Sequence, residues 1–380
     1  MSFFSRRVAT GLGIVLVLVG LWAASASLYQ EAPSEGSPAL SQEHIDTEIS
    51  DAGEVDSSVT TRTQESSVKN TPQFGVENMS EKEASHSLPF LLKDVGEAYL
   101  PYFGLTKKDF VDIKNNGFDI IEGNFDICAS EEDVQFFLDS AHANGLKVVL
   151  NAGAGEAEWG YPCDEDFSKD QKPTWQRDAV RMWVEKWKNH PALYAWDTSN
   201  EAGGTFPYGT GGVEPDPEWE TKYSLTAVQL QQAYRDVKSF DPAHPIMIRM
   251  NGWYFYDYEE NFFRPGNSFA KDVADIVMIN AYANVDEYFN DFVSTVLLRA
   301  ARSIYAIDSD VKILPALGVW EEPPMWFLPT KEEFINDYQQ ALKAENLVGI
   351  SFFKYGASGS EWYLPQNASS IWQEIKSLGH

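Results

Sequence analysis

LYAWDTSNEAGG, residues 193–204, is the stretch on which the fold turns. Its first half is an apolar run of strand length. Its second half is an amide and a carboxylate, Asn200-Glu201, followed at once by small residues. Charged side chains are rarely fully buried unless paired. A glutamate arriving at the end of a buried strand therefore marks a place where something polar meets it.

Seven more runs of similar character flank this one. They are VGEAYLPY (95–102), DIIEGNF (119–125), KVVLNAG (147–153), IMIRMNG (246–252), DIVMINAY (275–282), KILPALGV (312–319) and GISFFKYG (349–356). All are mostly apolar without clean alternation, as strands covered on both faces should be. Helical patterns lie between most of them. TKKDFVDIKNNG and SEEDVQFFLDSAHANG open on Thr or Ser caps and close on Gly117 and Gly145. PTWQRDAVRMWVEKWKNH, SLTAVQLQQAYRDVKSF, VDEYFNDFVSTVLLRAARSIY, TKEEFINDYQQALKAEN and SSIWQEIKSL follow. After the fifth strand the pattern is mainly loop. Strands alternating with helices imply an open doubly wound sheet or a closed barrel. No Gly-x-Gly-x-x-Gly follows the first run, which lowers the dinucleotide-binding option. Eight units in roughly 290 residues fit the (β/α)8 TIM barrel, assigned to residues 88–380.

The N-terminal part reads differently. Arg6 and Arg7 precede an apolar run from Val8 to Ala24, and Ala24-Ser25-Ala26 resembles a cleavage site. Residues 1–28 are expected to be a signal peptide or an uncleaved membrane anchor. Either way the rest of the chain is expected to be extracytoplasmic, secreted or tethered, with membrane contact only through this segment. Residues 29–87 are acidic, Ser/Thr-rich and poor in apolar side chains, which reads as a disordered linker. The formal net charge of -28 argues against nucleic-acid binding. Cys128 and Cys163 are the two cysteines, and an oxidising compartment would allow one disulfide. No zinc motif is present, and no metal or organic cofactor is called for.

In a (β/α)8 barrel the active site lies at the C-terminal ends of the strands. Those ends are polar or aromatic here: Asn124 and Asp126, Asn151, Asn200 and Glu201, Asn251 and Trp253, Asn280 and Tyr282, Trp320 and Glu321, Lys354 and Tyr355. One polar strand end is a cap; so many at one mouth make a binding site. Trp253, Trp320 and Trp362 fall in the loops of that face, where aromatic rings can stack on sugars. Trp183 and Trp187, one helical turn apart, read instead as helix packing. Asp197 reads as a structural partner within its strand. Cleavage of a glycosidic bond needs a protonated acid beside the leaving oxygen and a second carboxylate near the anomeric carbon. Glu201 is the candidate acid.

WDTSNE (196–201) resembles the strand-four motif of the clan A glycoside hydrolases, the cellulase and β-mannanase families among them. The resemblance implies an O-glycosyl hydrolase acting on a β-linked polysaccharide or oligosaccharide, with Glu201 as acid/base and Asn200 holding the sugar 2-hydroxyl. It also places Tyr282 near the nucleophile and Tyr355 under the sugar. Asn124, Asn151, Trp253, Trp320 and Trp362 complete the expected substrate contacts. The departure is at strand seven. The family carries a glutamate at that strand's end; here Leu317 or Gly318 stands there, and Glu321 comes a few residues later. An extended strand or a bulge would deliver Glu321 as the nucleophile of a retaining enzyme. Retention is the first expectation; should Glu321 not reach the site, Glu97, Glu122 and Asp126 are the candidates for the second carboxylate, and inversion at a wider gap is then an option. The alternative is a barrel that binds glycans without cleaving them.

Overall fold

The computed structural model describes residues 88–378, apart from 98–99, 124, 156, 161–172, 202–224, 258–268, 286–287 and 325. The segments 1–28 and 29–87 therefore lie outside the described residues. Among the described residues no helix is long and apolar enough to cross a membrane.

Eight parallel strands close into one barrel: β1 (Phe90–Leu92), β2 (Ile120–Glu122), β3 (Lys147–Asn151), β4 (Leu193–Asn200), β5 (Ile246–Asn251), β6 (Ile276–Ala281), β7 (Lys312–Gly318) and β8 (Ile350–Phe353). Closure is made by β1, whose Leu91 faces Ile120 on one side and Ser351 on the other. Both β5 and β6 are buried at every position, as strands inside a helical jacket must be. The register of β4 against β5 shifts between Asp197 and Asn200, just before the strand delivers Glu201.

The jacket consists of α1 (Lys107–Asn115), α2 (Glu131–Ala143), α3 (Arg177–Trp187), α4 (Ala227–Phe240), α5 (Gly252–Asp257), α6 (Phe292–Ile307), α7 (Lys331–Ala341), α8 (Leu364–Asn367) and α9 (Ser369–Leu378). Their starts follow capping chemistry. Ser130 accepts from the Asp133 backbone N–H at 3.1 Å, and Thr226 and Thr330 form capping boxes with Gln229 and Glu333. Gly117 and Gly145 end α1 and α2 with φ +94° and +69°, a conformation that costs glycine nothing. Trp183 and Trp187 pack edge-to-face, 6.0 Å apart, in the core.

The first strand differs from the sequence reading. The described residues of the run 95–102 form no strand of the barrel, and the strand lies upstream in Phe90-Leu91-Leu92. Pro101 starts a short 3-10 turn to Gly104, within which Tyr102 and Phe103 take φ of +52° and +56°. No β-strand accommodates those angles. Phe103, in the same turn, packs on Phe125 at 4.1 Å.

Candidate active site

Glu201 stands half-exposed at the C-terminal end of β4 with φ +52°. Its backbone N–H donates to the Arg249 carbonyl, which fixes its place against β5. Its Oε1 accepts from Asn280 Nδ2 on β6 at 2.6 Å. The other end of that amide is held by Lys93, immediately after β1: Lys93 Nζ donates to Asn280 Oδ1 at 2.9 Å and to the Tyr282 hydroxyl at 3.2 Å. An ammonium has donors only, so it must face the amide oxygen; the NH₂ is thereby turned toward the carboxylate. Lys93 is 1% exposed. Burial, and then the Arg249 guanidinium, hold its ammonium below the ordinary lysine value. Burial pushes the Tyr282 hydroxyl well above its ordinary value, with the Glu201 charge acting in the same direction.

Beneath this layer lies a buried ion cluster. Arg249 approaches Glu122 Oε1 at 3.0 Å and Asp197 Oδ2 at 2.6 Å, and all three side chains are sealed from solvent. Burial pushes the Asp197 carboxyl up against the opposing pull of Arg249. A guanidinium cannot give up its proton, so the close pair holds the charge in place. Asp197 is thus the structural partner expected of it. Glu122 is closed off as a second catalytic carboxylate. Asp126 is bound into its own turn, where its Oδ1 accepts from the Cys128 N–H at 2.8 Å.

The end of β7 is closed. A Cβ on Gly318 would come within 2.8 Å of Trp320 Cζ3 and 3.4 Å of Tyr282 Cδ1. Trp320 is buried among Tyr282, Trp326 and Phe353, at ring distances of 4.8, 5.0 and 4.6 Å. An indole thus fills the space into which a carboxylate at position 318 would project. Glu321 is exposed and lies beyond the end of the strand.

The remaining expected residues divide. Asn200 is exposed beside Glu201, available to a ligand. Trp362 is nearly buried and donates its ring N–H to the Lys354 carbonyl at 3.0 Å. Asn151 is buried, and its carbonyl accepts from Trp183. Trp253 lies on α5 rather than in a loop and packs on Phe292 of α6 at 4.3 Å. Tyr355 is a correction: it is fully buried and turned to the helical layer, its hydroxyl 3.3 Å from Asp109 on α1 and its ring near Trp372. Asn124 lies outside the described residues, as does Cys163, the expected partner of Cys128.

The sequence reading missed Lys93, Asp94 and Arg249. The signal was available: an arginine in the middle of the apolar run IMIRMNG, and a lysine and aspartate closing FLLKD. A charge inside a both-faces-buried strand has to be paired, and the barrel interior is where its partners are. Asp94 and Glu97 line a small pocket at the mouth between β1 and β8, with Phe103, Lys354 and Trp362 in its walls. Glu158, in a 3-10 turn after β3, is a buried carboxyl pushed up to about 8 by burial first and the neighbouring Asp126 second. Among the described residues no group of three or more His, Cys, Asp or Glu side chains is arranged to hold a metal ion.

No family model matches the chain, and no curated protein matches it in sequence. Its shape does have counterparts. It is similar to endoglucanase Cel5A of Pseudomonas stutzeri, with a TM-score of 0.52 at 15% identity over 77% of this chain and 94% of that one. A β-D-glucuronidase of Dictyoglomus thermophilum gives a TM-score of 0.48 at 15% identity, over 76% of this chain and 50% of that one. For a Bacteroides uniformis β-glucuronidase the TM-score is 0.46 at 12% identity, over 71% of this chain; the chain spans 30% of that protein's length. At these identities the likeness is one of fold: a (β/α)8 barrel.

Proposed function

We propose that the chain is a barrel glycoside hydrolase that cleaves O-glycosidic bonds in a β-linked polysaccharide or oligosaccharide, with Glu201 as the proton donor. The observation that carries this is the placement of Glu201 at the mouth, half-exposed, with Asn280 donating to it at 2.6 Å. A donor fixed by a buried lysine aims the carboxyl without blocking it. Exposed Asn200 is suited to the sugar 2-hydroxyl. The fold shared with an endoglucanase supports the same reading by analogy.

The test is release of reducing sugar by the full chain from carboxymethylcellulose, β-mannan, xylan and β-1,3-glucan. Glu201→Gln should lower the rate by about 10²-fold or more, the usual weight of a general acid. An unchanged rate in that variant rejects the role. A second reading, glycan binding without turnover, is favoured by one observation: Trp320 fills the space in front of Gly318. It predicts retention of the protein on one of these polysaccharides with no sugar released.

The same reading carries proposals for the rest of the chain. Residues 1–28 would export or anchor it, residues 29–87 would tether the barrel, and Cys128 would pair with Cys163 at the rim. Protease mapping of the mature N-terminus and thiol titration before and after reduction test these.

A further inference from the structure

We propose that Asp94, at the end of β1, is the second catalytic carboxylate, acting as the base that activates water opposite Glu201. This rests on the glycosidase reading and supplies the group that β7 does not. Three observations converge on it.

The first is exclusion. Gly318 has no room for a side chain, Glu321 is exposed beyond β7, Glu122 is sealed in the ion cluster, and Asp126 is held in its turn. Two carboxylates line the pocket on the β1 side with Trp362 and Lys354: Asp94, which follows the strand closely, and Glu97, whose backbone is tied into the loop beyond it through Leu100 and Phe103.

The second is shared partners. Lys93 Nζ is one amide away from Glu201, through Asn280, and Lys93 is the residue before Asp94. The charges of Asp94 and Glu201 both act on the Lys93 ammonium and on the Tyr282 hydroxyl. Both carboxyls thus belong to the surroundings of one lysine–tyrosine pair. With Asp94 acting on a water rather than on the anomeric carbon, the pair is of the inverting kind, which needs a wider gap than the ~5 Å of a retaining pair.

The third is backbone. Asp94 and Glu201 take φ of +48° and +52°. Non-glycine residues in that region are uncommon, and glutamate has little tendency to enter it. The other non-glycine residues that do so among those described are Tyr102, Phe103, Asp272 and Asn346, none of them at a strand end that opens on the mouth. Strain of this kind persists where the surroundings over-determine it, commonly at functional sites. Desolvation raises the Asp94 carboxyl above its ordinary value, which suits a base working nearer neutral pH.

The step balances as follows. A water held by Asp94 bonds through oxygen to the anomeric carbon and gives one proton to the Asp94 carboxylate. The bond from that carbon to the glycosidic oxygen breaks. Its electron pair stays on the oxygen, which takes the proton of Glu201. Asp94 then holds the proton that Glu201 has lost, and exchange with solvent restores both. The anomeric configuration is inverted.

The experiment compares parent, Asp94→Asn and Glu201→Gln full chains on 2,4-dinitrophenyl β-D-glycosides of glucose, mannose, galactose, xylose and glucuronic acid. This leaving group departs without a proton, so Glu201→Gln should keep most of its rate there. Asp94→Asn should lose about 10²-fold or more in kcat with KM little changed. Asparagine tolerates the same positive φ, so the fold should survive, checked by the thermal midpoint; Asp94→Glu should restore part of the rate. Proton NMR of the first hemiacetal should show inversion. A rate for Asp94→Asn within threefold of the parent, or a retained configuration, overturns the assignment. So does Glu321→Gln abolishing activity while Asp94→Asn does not.

If the parent hydrolyses nothing, the glycosidase reading fails. Asp94 is then judged by titration calorimetry with isofagomine, whose ring cation mimics charge at the anomeric centre. Weaker binding by Asp94→Asn supports a carboxylate facing that centre. Equal affinity, or no binding by the parent, overturns it.

Discussion

Arg249 shows what a single residue does for this site. It is 3% exposed, lies in the middle of β5, and stands against two buried carboxylates. Its carbonyl also receives the N–H of Glu201, so the residue that balances charge in the barrel interior also positions the proposed acid. Removing it leaves Glu122 and Asp197 as like charges in a dry interior. Breaking a buried pair from one side costs about 3–5 kcal/mol, far more than the net worth of the intact pair. Arg249→Met should therefore lower unfolding stability in urea by that amount. The triple replacement Arg249→Met, Glu122→Gln, Asp197→Asn should recover most of the loss, because no uncompensated charge remains. A single variant as stable as the parent would mean that water or rearrangement solvates these carboxylates.

At the level of elements, patterns set by local chemistry were legible and those set by the mouth were not. The β4 run was read as a strand that ends by delivering Asn200 and Glu201, and the caps Thr106 and Ser130 marked helix starts, because capping depends on neighbours three residues away. The first strand was misplaced because VGEAYLPY is more strand-like than it folds, whereas Phe90-Leu91-Leu92 is too short to be conspicuous. Among site residues, Glu201 announced itself by Asn-Glu at a strand end. Lys93 did not, since its value comes from Asn280 and Tyr282, nearly two hundred positions away, and neither did Asp94, which shares its pocket with Lys354 and Trp362, farther still along the chain. Tyr355 followed the strand-end rule and still turned outward to Asp109, because a position after a strand does not decide which way a side chain points. The closure of β7 is likewise a packing fact, invisible until Trp320 is placed. It makes a prediction: Gly318→Ala forces a methyl against the indole and should cost about 1–3 kcal/mol, as overpacking does. In the background of Trp320→Ala the same substitution should cost distinctly less. A thermodynamic cycle on the two sites measures this coupling, and additivity within error would mean that Trp320 does not occupy that space.

For the whole molecule, the unusual feature is acid groups held neutral inside an already acidic chain. The formal net charge is -28. Burial, aided by Asp126, pushes Glu158 up to about 8, and burial pushes Asp337 up to about 7 although Tyr288 donates to it at 2.9 Å. Unfolded, these groups would titrate near the ordinary values of 4.5 and 3.8. Between the unfolded and folded values the native state binds protons that the unfolded chain has released. Stability therefore falls as pH rises through that window, and it falls no further from this cause above about 8. Growing self-repulsion of a polyanion works in the same direction. The thermal midpoint of the full chain should decline from pH 5 to pH 8. The double variant Glu158→Gln, Asp337→Asn removes the two titrations while keeping the shapes. Its curve should lie close to the parent's at pH 5 and progressively above it toward pH 8. Parallel curves would show that neither carboxyl is held protonated by the fold, and a gap that opens toward acid would show that both are held ionised.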